Sequence, residues 1–186
     1  MPRTSLDINC GPGRLRILMG DLTLEDADAI VNAANPGLAG GGGVDGAIHR
    51  TAGHDDLQRA CQEAIARRGG PLSPGEAEIT PGFRLTARYV IHAVGPIWRG
   101  GGQDEPGALT RAYQSCLNLA REHSLETVAF PAISCGVYGF PVDLAAPLAL
   151  AALLNGLEQG MVREARMVLR GAESLSAWVA AAQRML

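Results

Sequence analysis

Apolar positions along the chain alternate between two spacings. Short apolar or β-branched runs at residues 14–20 (RLRILMG), 28–34 (DAIVNAA), 76–80 (EAEIT), 89–95 (YVIHAVG), 127–133 (TVAFPAI) and 165–171 (ARMVLRG) predict strands. Amphipathic stretches lie between them. In residues 55–69, Leu57, Ala60, Cys61, Ala64 and Ile65 recur at helical spacing and Gly69 supplies a stop. Residues 107–123, 143–158 and 173–185 read as helices in the same way. Strands alternating with helices predict an α/β fold: a three-layer α/β/α domain around a central mixed sheet of about six strands. No repeat or long linker divides the chain, so residues 1–186 are read as a single domain, and residues 98–107 as a flexible surface loop.

Composition narrows the chemistry. Glycine stands at 24 of 186 residues, near twice the usual share of about 7%, which implies several close backbone approaches. A net charge of −3 and a pI near 5.8 argue against the basic stripe that duplex nucleic acid requires. All 16 basic residues are Arg, which excludes a P-loop lysine, a Schiff-base lysine and a lysine nucleophile. Cys10, Cys61, Cys116 and Cys135 form no C-x-x-C, and His49, His54, His92 and His123 complete no zinc spacing, so neither a metal nor a cofactor is expected. The N-terminal segment has no apolar run of signal length, and "LAAPLALAALL" is interrupted by Pro147. A cytoplasmic protein with reduced thiols and no membrane partner is expected.

The stretch that most needs explaining is "VNAANPGLAGGGGVDGAIH", residues 31–49, with four consecutive glycines and no Lys or Arg. Four adjacent glycines lose much conformational freedom on ordering. A glycine loop entering a helix compensates by presenting bare backbone N–H groups and the positive end of a helix dipole, which together hold phosphate without a cationic side chain. The plain alternative is a flexible turn. Gly41-x-Gly43-x-x-Gly46 formally matches a dinucleotide fingerprint, but residues 32–39 separate it from the strand, and the second strand with its acidic residue is missing. A second loop, "AISCGVYGF" at 132–140, again has glycines (Gly136, Gly139) at a strand end and no positive charge. Two such loops outside the carboxyl ends of strands can clamp a pyrophosphate.

Several motifs occur in a characteristic order: Gly20-Asp21-Leu22-Thr23, VNAAN at 31–35, GGGGVDGAIHRTAG at 40–53, HAVGP at 92–96 and ISCGVYGFP at 133–141. Over Gly20 to about Val142 the chain resembles the macrodomains, specifically the MacroD-type branch of ADP-ribose hydrolases. The resemblance implies an ADP-ribose cleft across the strand ends. Asp21 would accept from the adenine amino group, although alone it reads as a helix N-terminal acid, and Leu22 would contribute a backbone N–H. Asn35 would contact the distal ribose, and Asn32 would brace the loop. The diphosphate would lie against Gly41, Gly42, Gly43 and Val44 on one side and Ser134, Cys135, Gly136 and Val137 on the other, with Tyr138 packed on the distal ribose. Cys135 is read as packing, since no neighbouring cation or helix start marks it as a nucleophile.

Asp45 and His49 lie one helical turn apart on one face, so carboxylate and imidazole can meet. The resemblance implies that Asp45 activates or positions the attacking water, with Asn35 and His49 in support. Water would attack the anomeric carbon of the distal ribose, freeing ADP-ribose from an acidic side chain or an acetyl group. The implied partners are ADP-ribose, mono-ADP-ribosylated proteins and O-acetyl-ADP-ribose, with nucleic acid entering only as ADP-ribosylated ends. The chain departs from the pattern after its last strand: Arg170-Gly171 stands where many relatives carry an aromatic or acidic group, and the Arg170 guanidinium can stack on the base instead. The rival functions are a non-catalytic ADP-ribose reader and a regulator of an RNA-processing partner.

Overall fold

The computed structural model describes residues 3–186. Its strands are β1 (Arg3–Cys10), β2 (Gly13–Met19), β3 (Ala29–Ala33), β4 (Ala77–Pro81), β5 (Tyr89–Ala93), β6 (Thr127–Phe130) and β7 (Glu164–Leu169). Its helices are α1 (Gly43–Ala52), α2 (His54–Arg68), α3 (Glu105–Glu122), α4 (Val142–Glu158) and α5 (Ala172–Met185). The strands form one sheet in the order β1-β2-β7-β6-β3-β5-β4. The five central strands run parallel, and β1 and β4 close the two edges antiparallel.

The strand pleat sorts side chains between two cores. Ala29 and Val31 of β3, with Ile91 and Ala93 of β5, face a core shared with α3, α4 and α5. Ile30 and Val90 point the other way, into the core beneath α1 and α2. Strands covered on both faces read as nearly continuous apolar runs, which is why β3 and β5 were legible. Asn32 shares the phase of Ile30, and His92 that of Val90. Parallel pairing sets Asn32 directly beside His92. Two polar residues therefore enter the α1/α2 side of the sheet at one level.

The expected three layers are present, with seven strands rather than about six. The addition is β1, paired with β2 at the edge. Edge strands keep one side in water and need fewer apolar residues, so "RTSLDINC" carried little signal. Gly69 ends α2 in the left-handed conformation, φ 86°, as its place after the periodic segment required. Residues 98–104 form the expected surface loop before a helix, with its backbone bonded to the start of that helix. Helix α3 begins at Glu105, whose buried carboxylate accepts from the N–H groups of Arg99 (2.9 Å), Gly101 (3.1 Å) and Gln103 (2.7 Å). These backbone bonds hold the Glu105 carboxyl below the usual range against the opposing effect of burial.

Because the central strands are parallel, the segments that follow β2, β7, β6, β3 and β5 emerge along one edge of the sheet. Asp21, Arg170, residues 131–141, residues 34–42 and residues 94–104 are thereby brought to that edge.

Candidate functional site

The glycine loop between β3 and α1 is shaped by Asn35. Its amide nitrogen donates to the Gly40 carbonyl (2.9 Å), and its oxygen accepts from the Ala39 N–H (2.9 Å). Gly42 caps α1 without a side chain. Among the described residues, no group accepts from the N–H of Gly41, Gly42, Gly43 or Val44. Gly40 and Gly43 require glycine for their conformation, with φ of 77° and 58°. Gly46 requires it for packing, because a Cβ there would lie 2.6 Å from the Gly41 carbonyl oxygen. Gly42 meets neither need: its φ is −95°, and an added Cβ finds nothing within 4 Å.

The loop after β6 repeats this logic. The Tyr113 hydroxyl anchors its base, donating to the Pro131 carbonyl and accepting from the Ile133 N–H. Ser134 adopts φ 65° with its carbonyl bonded to the Phe140 N–H. The hydroxyl of Ser134 packs so near Gly95 that a Cβ there would come within 2.2 Å of it. Trp98 buttresses the loop, donating its backbone N–H to the Tyr138 carbonyl (2.8 Å) and setting its ring 4.6 Å from that of Phe140. The N–H groups of Gly136, Val137 and Tyr138 have no acceptor among the described residues. Val137 is fully exposed and Tyr138 half-buried. Like Gly42, Gly136 has no positive φ and open space where a Cβ would be. Burial pushes the half-buried Cys135 thiol up to about 11, which leaves it a poor nucleophile near neutrality.

Beneath the glycine loop lies a closed polar cluster. Asp45, in the first turn of α1, is buried, and its Oδ1 accepts from Asn32 Nδ2 (2.8 Å) and faces His49 Nδ1 (3.0 Å). Its Oδ2 has no donor among the described residues and points toward Gly41, 3.3 Å from where a Cβ would sit. His49 is raised to about 10, first by its bond to Asp45 and then by the Cys61 thiol, against desolvation. The second amide hydrogen of Asn32 faces His92 Nδ1 at 3.1 Å, and His92 Nε2 lies 2.9 Å from Thr80 Oγ1 and 3.7 Å from Cys61 Sγ. Fully enclosed, His92 is lowered to about 3 by burial and by the nearby His49 charge, against the opposing influence of Asp45.

The other end of the edge is open. Asp21 is exposed, and its Oδ1 caps the short 3-10 turn Leu22–Leu24 by accepting from the Thr23 N–H (2.9 Å) and hydroxyl (2.7 Å). Those two bonds, with the Arg170 charge adding to them, hold the Asp21 carboxyl below the usual range. Asp21 and Arg170 are thus neighbours. The Leu22 side chain is buried, and its N–H has no acceptor among the described residues.

Of the residues singled out in the sequence, the structure joins Asp45 to His49 and gathers the two glycine loops on one edge. It also corrects the role expected of Asn32. The loop bracing expected of Asn32 is made by Asn35, and Asn32 instead holds Asp45. His92, Thr80 and Cys61 join the cluster unforeseen. Their one legible trace was a histidine inside an apolar strand, in phase with the buried Val90.

A family model for the macro domain matches residues 31–149. A macro domain-containing protein of Ralstonia nicotianae is 57% identical over 136 residues, spanning 73% of this chain and 76% of its own. An O-acetyl-ADP-ribose deacetylase of Cronobacter sakazakii is 51% identical over 137 residues, 74% of this chain and 75% of its own. Among solved structures, the Oceanobacillus iheyensis macrodomain with ADP superposes with a TM-score of 0.94 at 38% identity, covering 100% of this chain and 97% of that one. Matched by family model, by relatives above half identity and by fold along its whole length, the chain belongs to the macro domain family.

Proposed function

We infer that the cleft binds ADP-ribose and hydrolyses its esters, acting as an O-acetyl-ADP-ribose deacetylase and removing mono-ADP-ribose from Asp and Glu side chains. The observation that carries this reading is the Asp45 carboxylate. One oxygen is occupied by Asn32 and His49, while the other faces the loop whose amides are unengaged. A module that only binds the nucleotide needs the amides but has no use for a buried acid so placed. The names of relatives, which include an O-acetyl-ADP-ribose deacetylase and a macrodomain with ADP, agree with the ligand class.

The diphosphate lies between the two glycine loops, received by the N–H groups of Gly41, Gly42, Gly43 and Val44 and of Gly136, Val137 and Tyr138. Glycine at 42 and 136 answers no conformational or packing need of the protein, so phosphate approaching the backbone accounts for it. The adenine sits at the open end, with Asp21 accepting from its amino group, Leu22 offering an N–H and Arg170 stacked on the ring. The distal ribose, over Tyr138 and Asn35, then falls above Asp45.

For an acyl group carried on the anomeric oxygen, a water held by Asp45 Oδ2 attacks the anomeric carbon, the bond from that carbon to the acyl oxygen breaks, and the carboxylate leaves with the bonding electron pair. The proton of the water passes to Asp45. His49 Nδ1, 3.0 Å from Asp45 Oδ1, partners the carboxylate until that proton arrives, and orientation with charge stabilisation supplies most of the rate. The test is release of ADP-ribose from an Asp- or Glu-linked substrate and of acetate from O-acetyl-ADP-ribose. Tight binding of ADP-ribose without release of either product makes the protein a reader.

A further inference from the structure

Behind Asp45 runs a line of hydrogen bonds with a definite direction. Thr80 Oγ1 lies 3.2 Å from the Pro81 carbonyl and 2.9 Å from His92 Nε2, so it can donate to the first while accepting from the second. A neutral imidazole with its proton on Nε2 has a lone pair on Nδ1, and that lone pair faces the Asn32 amide nitrogen at 3.1 Å. The other amide hydrogen of Asn32 reaches Asp45 Oδ1 at 2.8 Å. Flipping the amide would set a carbonyl oxygen against both the carboxylate and the lone pair. The present orientation leaves Asn32 Oδ1 buried without a partner, an uncommon state for a buried acceptor and a sign that the two donated bonds decide the geometry.

We propose that His92 is a positioning residue: as the neutral Nε2–H tautomer it fixes the amide of Asn32, which in turn pins Asp45 Oδ1 and leaves Oδ2 as the oxygen presented to the substrate. This inference rests on the reading of Asp45 as the base. His92 itself touches no ligand, being enclosed by Asn32 on β3, Thr80 on β4, and Cys61 on α2, with His49 and Asp45 of α1 as the neighbouring charged groups. A protonated His92 would turn an N–H toward the Asn32 donor and break the line. Burial and the His49 charge both hold it neutral.

Two variants of nearly equal shape separate positioning from packing. His92→Leu removes the acceptor at the Nδ1 position, whereas His92→Asn places an amide oxygen near that point. The leucine variant should lose about ten- to a hundredfold in kcat, with the Kd for ADP-ribose kept within about twofold, because only the alignment of the base is lost. The asparagine variant should recover most of that loss. Equal kcat for wild type and His92→Leu, or equal loss in the two variants, overturns the proposal. Nitrogen-15 NMR of the imidazoles supplies a readout independent of turnover: His92 should show Nε2–H with Nδ1 unprotonated from pH 5 to 9. An Nδ1–H tautomer or a midpoint inside that range overturns it even in a protein that hydrolyses nothing. If His92 has the expected tautomer but native protein releases no product, the relay stands as built and the reading of Asp45 as base fails instead.

Discussion

The two ends of the cleft handle polar groups in opposite ways. At the end proposed to hold the base (the base end), Asp21 and Arg170 are exposed, and water satisfies whatever the protein does not. At the end proposed to hold the sugar (the sugar end), Asn32, Asp45, His49, Thr80 and His92 are all buried, so the partners they have come from within the fold. A change at the base end therefore stays local, while a change at the sugar end passes along bonded neighbours. Recognition can tolerate the first arrangement. An attack on one carbon needs the second, because a base misaligned by an ångström loses most of its effect.

The strongest test of this contrast is Asp45→Ala, for which steady-state kinetics should show turnover lowered by at least roughly a hundredfold, the scale of a general base, with ADP-ribose still bound. Unchanged turnover removes the sugar end from the chemistry. Next come Gly42→Val and Gly136→Val, in which a side chain blocks the approach of phosphate to backbone. Titration calorimetry should register the loss of ADP-ribose binding in each. Neither glycine has a positive φ or a close neighbour, so the thermal midpoints should stay near that of the native protein, and a large drop would mean that these glycines serve the fold.

A smaller effect separates the two buried histidines. Folded His49 is raised from 6.5 to about 10, so its stabilisation is complete below about pH 6.5 and is lost as pH rises toward 10. Folded His92 is lowered from 6.5 to about 3, so the unfolded chain takes up a proton that the folded chain refuses, and stability falls as pH drops from 6.5 toward 3. Urea unfolding across pH should give a maximum from this pair near 6.5. His92→Leu should flatten the slope between about pH 4.5 and 6.5, above the range in which carboxylates titrate. A slope unaltered by that substitution means His92 takes its proton normally in the fold. Least affected should be Arg170→Ala, where loss of stacking by an exposed guanidinium weakens ADP-ribose by about two- to fivefold. A hundredfold loss there would erase the contrast between the ends.

Of the six strands read from sequence, β3, β5, β6 and β7 were legible because burial on both faces makes them nearly continuous apolar runs. The seventh, β1, alternates with polar residues at an edge and escaped notice. The glycine loops stood out through the absence of basic side chains beside so many glycines. The roles of Asn32 and Asn35 did not stand out, since both are amides three residues apart before a proline. What separates them is that Asn32 lies inside β3, with its side chain on the α1 side, while Asn35 lies past the strand end and closes a turn. Glu105 was equally silent, because a carboxylate that gathers three backbone amides looks in sequence like any acid in a first helical turn.

By itself the sequence determined the layer architecture, the two amide-rich loops and the pairing of Asp45 with His49, since each follows from local periodicity, from composition or from a spacing of four within one helix. Only the tertiary structure decided that His92 stands beside Asn32 and that one oxygen of Asp45 is held while the other has no donor among the described residues. Those relations depend on the register of β3 against β5 and on the docking of α1 and α2 over them. Register is a long-range property, set by burial of whole faces at once, and no window of neighbouring residues contains it.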